Sequence, residues 1–277
     1  MKILRTIADM RRHLAPVRRG SLVGLVPTMG ALHDGHVALF AAARRASAQV
    51  VVSLFVNPGQ FSDPADLASY PRQEARDADL AANAGVDAIF VPSVEEMYRP
   101  GGATAVQVNG AALGFEGAFR PGHFNSVATV CLKLFNIVQP GIAFFGQKDA
   151  QQVAVVRQMV RDLQLNLRIE VVATVREADG LALSSRNVRL SAGERRRALA
   201  IPRALAAGLA APADPARAAR AELDGLDVDY VEVAVFDGEL TLVIAARAGN
   251  TRLIDNVPLN RPELAGLGPG LVRSAGL

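Results

Sequence analysis

The sequence predicts an α/β protein, a parallel sheet with helices on both faces, followed by a small α+β domain. Three observations carry this. Continuous apolar runs recur along the first part of the chain, as expected of strands buried on both faces. Segments of helical periodicity separate them, the pattern of parallel strands joined by crossover helices. After about residue 174 an Arg-rich amphipathic stretch and strand-like runs replace that rhythm.

Taken in order, the predicted strands of the first part are Leu22–Pro27, Val50–Phe55, Ala88–Val91, Ile142–Phe145 and Arg168–Val172. The predicted helices are Val37–Ala46, Arg72–Ala84, Phe124–Val138 and Gln151–Leu163, with Pro71 beside the start of the second. This alternation is Rossmann-like and defines a first domain over residues 1–174. Residues 175–277 form the small α+β domain, read as a lid because a loop with a hinge glycine, Gly180, joins the two. Its expected elements are a helix over Ala192–Ala211, a loop at Ala211–Pro215 and a short helix over Ala216–Leu223. Strands at Val228–Val235 and Leu240–Arg247 follow, with a third at Thr251–Ile254. Arg261–Leu277, rich in Gly and Leu without a period, is assigned no structure.

Composition narrows the function classes. Half of the 277 residues are apolar, enough for a sizeable core, yet no run has the length of a membrane span. The N-terminus carries no signal-peptide pattern, and a single cysteine, Cys131, excludes an intramolecular disulfide framework. Both fit a cytoplasmic protein. Cys131 lies among apolar neighbours and reads as a core thiol. The pI near 9.4 comes from a net charge of only +3. The arginines are scattered and not interleaved with aromatics, so a nucleic-acid stripe is not supported. Of 30 basic residues only Lys2, Lys133 and Lys148 are lysines, which singles out Lys148 as a compact, mobile cation.

The chemistry-bearing residues cluster at predicted strand ends. The run from Pro27 to His36 passes from a strand into a helix, and places His33 and His36 at that helix N-terminus. Unpaired N–H groups and the helix dipole attract anions there. Gly35 lets a phosphate come close, and two imidazoles three residues apart share a helical face. The strand, the His-x-Gly-His turn and the helix together look like the signature of the nucleotidylyltransferases. A half metal site or a simple helix cap are the alternative readings of the two histidines.

Three further motifs lie at such ends. Asn57 to Phe61 follows the second strand and presents Asn and Gln amides, or is an ordinary Asn-Pro turn. Phe119 to Phe124 precedes a helix, with Arg120 or His123 facing an anion or merely opening that helix. Phe145 to Gln152 ends another strand. There Gly146 permits close backbone approach, Lys148 supplies a charge for phosphate oxygens, and Gln152 lies one turn after Lys148. In a parallel sheet these ends meet at one edge, where ligands bind at a switch point. At the domain junction, Arg176 to Asn187 carries Ser184, Ser185 and Arg186, a donor cluster suited to a triphosphate under attack, or a loop capping the next helix.

In this order the motifs resemble the pantothenate synthetase (pantoate–β-alanine ligase) family, from Val26 to about Asn256, where the run from Thr251 is also family-like. The resemblance implies a two-step reaction. Pantoate's carboxylate attacks the α-phosphorus of Mg-ATP to give pantoyl adenylate and pyrophosphate. The amine of β-alanine then displaces AMP. It also implies that Met29, Gly30, Ala31, Leu32, His33, Asp34, Gly35 and His36 lie along ATP, with His36 as proton donor to phosphate. Gly146, Gln147, Lys148 and Asp149 contact the nucleotide, and Val175, Leu183, Ser184, Ser185 and Arg186 complete that site. His33, His36, Lys148 and Arg186 form the catalytic set. Gln60 and Gln152 hold pantoate, and Gln60 also meets β-alanine. Mg²⁺ comes with ATP and no protein ligand is assigned to it. A homodimer is expected, and neither nucleic acid nor membrane is a partner. Three positions depart from the family pattern: Ser126 stands where glycine is usual, Gln147 where glutamate is usual, and Ala150 where an aromatic is usual. Two other readings compete. One is a different His-x-Gly-His nucleotidylyltransferase, which needs a second phosphorylated ligand; the other is a catalytically silent nucleotide binder.

Overall fold

A computed structural model describes residues 1–268; the end of the tail, 269–277, lies outside the described residues. Among the described residues nine strands form two sheets. The first holds β1 (Lys2–Leu4), β2 (Val23–Thr28), β3 (Gln49–Leu54), β4 (Ala88–Phe90), β5 (Ile142–Gly146) and β6 (Arg168–Val172) in the order β1-β4-β3-β2-β5-β6. The β1/β4, β4/β3, β3/β2 and β2/β5 pairs are parallel. The second sheet joins β7 (Asp227–Phe236), β8 (Glu239–Ala248) and β9 (Thr251–Pro258) as an antiparallel meander. The expected fold class is the one observed.

The first sheet is buried on both faces, which is why its strands read as unbroken apolar runs. Leu25, Val51, Phe90 and Phe145 share a core with Met10 and Leu14 of the helix Ile7–Leu14. The helices His123–Val138 and Ala150–Asp162 pack into the same core through Val127, Cys131, Val155 and Met159. Side chains alternate along a strand, so Val26, Val50, Val52, Ile89 and Phe144 point the other way. All five are as deeply buried, as are Phe40, Ala43 and Ala81 of the helices Asp34–Ala46 and Glu74–Asn83. Cys131 is the core thiol expected, its pKa raised to about 12 by burial.

The chain divides into two compact units. One comprises Met1–Leu32, His36–Phe145 and Gln151–Val171; the other His33–Gly35, Gly146–Ala150 and Val172–Leu277. The sequence places one cut at 174/175, whereas here two short strand-end segments group with the second unit. For the segment after β5 the reason is local: a side chain of the second unit holds it, as described below. In that unit Ala198, Ile201, Ala204 and Leu205 pack on Val231, Leu242, Ile244 and Val257. Gly208 allows the approach, since a Cβ there would lie 2.3 Å from a methyl of Leu242.

Several boundaries differ from expectation. The helix beginning near residue 72 starts at Glu74, so Pro71 lies ahead of it rather than in its first turn. The Arg-rich helix is two, Ala192–Ala198 and Ala200–Ala210, because Pro202 has no N–H to donate back across the junction. The tail is not featureless: Pro262–Ala265 forms a 3₁₀ turn that buries Leu264 and Ala265, and the Leu264 carbonyl accepts from the Thr174 N–H at 2.9 Å. β1 and the short helices Pro64–Ser69, Val94–Met97 and Phe115–Phe119 escape sequence reading, being too short to show a period.

Candidate active site

Strand order reverses between β2 and β5, which makes their carboxyl ends the switch point of the sheet. β2 runs into Met29 and β5 into Gln147, while β3, on the other side of β2, runs into Phe55 and Asn57. Three of the singled-out motifs therefore leave adjacent strands on one edge.

The loop after β2 is fixed by an aspartate that sequence reading passed over. Asp77, 2% exposed on the helix Glu74–Asn83, accepts the N–H of Ala31 on one oxygen and that of Leu32 on the other, each at 2.9 Å. Gly30 and Ala31 both take left-handed φ values, +85° and +52°. A Cβ on Gly30 would come 3.0 Å from the Asp77 carboxylate. Thr28 anchors the loop's start by donating its hydroxyl to the Ser53 carbonyl at 2.6 Å. One signal for Asp77 was present: it sits with Ala78 and Ala81 on the helix's buried face, an unusual place for a carboxylate.

The helix after this loop begins at Asp34, so His36 lies in its first turn while His33 precedes it. His33 takes the capping role that was one of its open readings: its Nδ1 accepts the Gly35 N–H at 3.2 Å, which puts the ring proton on Nε2. A Cβ on Gly35 would meet that imidazole at 2.9 Å, so the glycine makes room for His33. Burial, and then the charge of Lys148, push the His33 pKa below the ordinary 6.5; Asp34, Asp149 and Glu177 pull weakly the other way. His33 is therefore a neutral donor at physiological pH.

In the same unit, the segment after β5 hangs on a second unanticipated residue. Asn256, 3% exposed on β9, donates its amide to the carbonyls of Gln147 (3.0 Å) and Lys148 (2.9 Å), and its Oδ1 accepts from Gln147 Nε2 at 2.9 Å. Next to it, Asp255 forms a two-pronged ion pair with Arg176 at 2.7 and 3.1 Å, both side chains at most 5% exposed. Arg176 also reaches the Ala265 carbonyl. The Gln147 side chain is thereby turned inward. Lys148, its side chain 18% exposed, keeps its ammonium 3.8 Å from Asp149. A Cβ on Gly146 would meet nothing, leaving open space over that backbone.

The junction segment folds as a small hairpin, with Leu183 N–H bonded to the Val175 carbonyl and Gly180 at φ +91° in its turn. Ser184 Oγ accepts the Arg186 N–H at 3.2 Å, and Arg195 braces the turn through Glu177 and Asp179, each at 2.6 Å. Ser184, Ser185 and Arg186 are half-buried.

The amide motif after β3 belongs to the first unit. Gln60 is buried; its Oε1 accepts from Asn57 Nδ2 at 3.0 Å, and its carbonyl accepts from Arg120 and meets His123 Nδ1 at 3.2 Å. Arg120 and His123 thus support Gln60. Tyr98 donates to Asn57 Oδ1 at 2.9 Å, and Asn57 also donates to the Ser126 carbonyl. Ser126 itself presses on Gly59, where a Cβ would lie 2.8 Å from its hydroxyl. Gln151 ties down the loop before residue 116 through its amide, while its neighbour Gln152 is half-buried. Among the described residues no group of three or more His, Cys, Asp or Glu is placed to hold a metal ion. Among them, too, no helix is long and apolar enough to cross a membrane.

A family model described as pantoate-beta-alanine ligase matches residues 2–258. The chain is 50% identical to a pantothenate synthetase of Moorella thermoacetica, covering 94% of this chain and 99% of that one. Among solved structures it is similar to the pantothenate synthetase of Thermus thermophilus, with TM-score 0.88, 45% identity and coverage of 94% and 99%. It is also similar to a pantoate-beta-alanine ligase of Francisella tularensis complexed with beta-gamma ATP and beta-alanine, with TM-score 0.81, 33% identity and coverage of 94% and 98%.

Proposed function

The chain belongs to the pantoate–β-alanine ligase family, and on that premise we propose that it joins pantoate to β-alanine at the expense of ATP. Pantoate's carboxylate attacks the α-phosphorus and expels pyrophosphate; the β-alanine amine then attacks the acyl carbon of pantoyl adenylate and expels AMP. No nucleophilic side chain is required, in keeping with a cysteine sunk in the core.

In this reading His33, Asp34, Gly35, Gly146 to Asp149, Val175 and Leu183 to Arg186 bind ATP, as do Met29 to Leu32 and His36. Lys148 and Arg186 follow the charge that shifts onto the phosphates. His36 donates a proton or hydrogen bond to phosphate, and neutral His33 donates from Nε2. Gln60 and Gln152 hold pantoate, and Gln60 also meets β-alanine. The observation that carries the nucleotide part is the Lys148 segment, which follows the switch-point strand in the chain and whose Gln147 and Lys148 carbonyls accept from Asn256. Mg²⁺ arrives as Mg-ATP, screening the triphosphate, since this ion keeps several waters and binds mainly through substrate phosphates. A cytoplasmic homodimer completes the proposal.

The test is product release from Mg-ATP. Pyrophosphate released with pantoate alone, and AMP only after β-alanine is added, is the expected result. Absence of pantoate-dependent pyrophosphate overturns it in favour of another acceptor or a silent binder.

A further inference from the structure

The first unit contains a cavity of about 400 Å³ that includes none of the residues assigned above to ATP, pantoate or β-alanine, although Tyr98, the donor to Asn57, forms part of its wall. Three cations line it: Arg11, Arg99 and Lys133. Its one carboxylate, Glu96, already accepts the Ile7 N–H at 2.7 Å. None of the three cations forms an ion pair with a described residue, although ion pairs are frequent elsewhere in the molecule. Lys133 is half-buried and rests over the Tyr98 ring, 5.2 Å from its centre. Like charges gathered around one cavity repel unless an anion joins them. The rest of the wall is apolar or small: Ile7, Met97, Ala103 and Gly102, with Thr104 adding a hydroxyl.

We propose that this cavity binds a small organic phosphate monoester. Three cations against one carboxylate leave two positive charges, which a dianion balances. Two guanidiniums offer the forked donors that suit phosphate oxygens, and Lys133 adds a point charge. The apolar wall receives the organic part, for which inorganic phosphate has no counterpart. The volume lies within the range of small-molecule sites.

The probe is phenyl phosphate, titrated calorimetrically into the full-length protein. Binding should weaken about tenfold in Arg99→Gln, the loss expected for one charge-assisted contact, and as much in Lys133→Met. Arg99 is exposed, so its substitution does not threaten the fold should Lys133→Met do so. Lys148→Ala should leave this binding unchanged, which separates the cavity from the ATP phosphates. Inorganic phosphate should bind more weakly than the ester. Absence of binding overturns the proposal, as does weakening by Lys148→Ala with no effect of Arg99→Gln. Equal affinity for inorganic phosphate overturns the organic part of the assignment.

Discussion

The loops that follow β2 and β5 solve one problem with opposite chemistry. Each must leave a strand end and hold an irregular backbone in place. After β2 the backbone turns two N–H groups inward, and a carboxylate, Asp77, accepts both. After β5 it turns two carbonyls inward, and a neutral amide, Asn256, donates to both. The holder's polarity is set by which backbone groups the turn buries, since a buried polar group without a partner is costly. The β2 loop adds a left-handed alanine; the β5 segment adds a lysine ammonium whose placement depends on its carbonyl being fixed.

The largest expected effect breaks the first loop. Asp77→Ala removes the acceptor for two buried N–H groups, at roughly 3–5 kcal/mol of stability from two bonds to a charged group. Urea unfolding should show a lower midpoint with an unchanged slope. A loss under about 1 kcal/mol means that water or another group replaces the carboxylate, and the comparison fails on that side.

Asn256→Asp tests the other side. It keeps the shape but turns a carboxylate toward the Gln147 and Lys148 carbonyls, leaving only the bond from Gln147 Nε2. If Lys148 acts on the phosphates, Lys148→Ala lowers the rate of pyrophosphate release by roughly a hundred- to thousandfold, about 3–4 kcal/mol. Asn256→Asp should lose about ten- to a hundredfold, appearing in kcat more than in the KM for β-alanine. An Asn256→Asp variant of full activity would remove the link between this amide and Lys148. Gln147 belongs to the same test: its amide donates to the Oδ1 of an asparagine whose own donors face the backbone.

The strands around these loops were legible because burial on both faces leaves a local mark, unbroken apolar runs at β2, β3 and β5. β1 left none, with two of its three residues exposed. The positions of Lys148, Gly146 and His36 at strand–helix junctions were legible from the local pattern. The roles of Asp77 and Asn256 were not, because their partners lie 46 and 109 residues away along the chain and the pairing exists only once the sheets are formed. The capping role of His33 was among the open readings, and it is the Gly35 N–H on its Nδ1, a contact of the folded backbone, that assigns it.

A smaller effect sharpens the comparison through pH. The His33 pKa is lowered in the folded protein, so the unfolded chain takes up a proton first as pH falls through the ordinary 6.5. The stability contributed by neutral His33 is complete above that value and declines below it. His33→Asn keeps a side chain that can cap the helix and removes the titration. Unfolding measured from about pH 7.5 to 5 should then lose part of its slope, the remainder including His13, which burial also lowers. An unchanged slope would mean that His33 does not titrate differently on folding.

The smallest expected effect concerns the backbone itself. Ala31 holds φ +52° because Asp77 grips its N–H, and a glycine there has no Cβ to strain. Ala31→Gly relieves that strain while widening the unfolded ensemble, two opposing contributions of about 0.5–1 kcal/mol each. Stability should therefore change by less than about 0.5 kcal/mol when Asp77 is present. In an Asp77→Ala background the carboxylate no longer selects the left-handed turn, and an alanine at 31 is free to leave it. Glycine should there become the worse residue, by about 0.5–1 kcal/mol, the ordinary difference between the two. This change between backgrounds separates a turn imposed by Asp77 from one that the chain adopts by itself; an identical effect of Ala31→Gly in both would mean that the loop keeps its shape without the carboxylate.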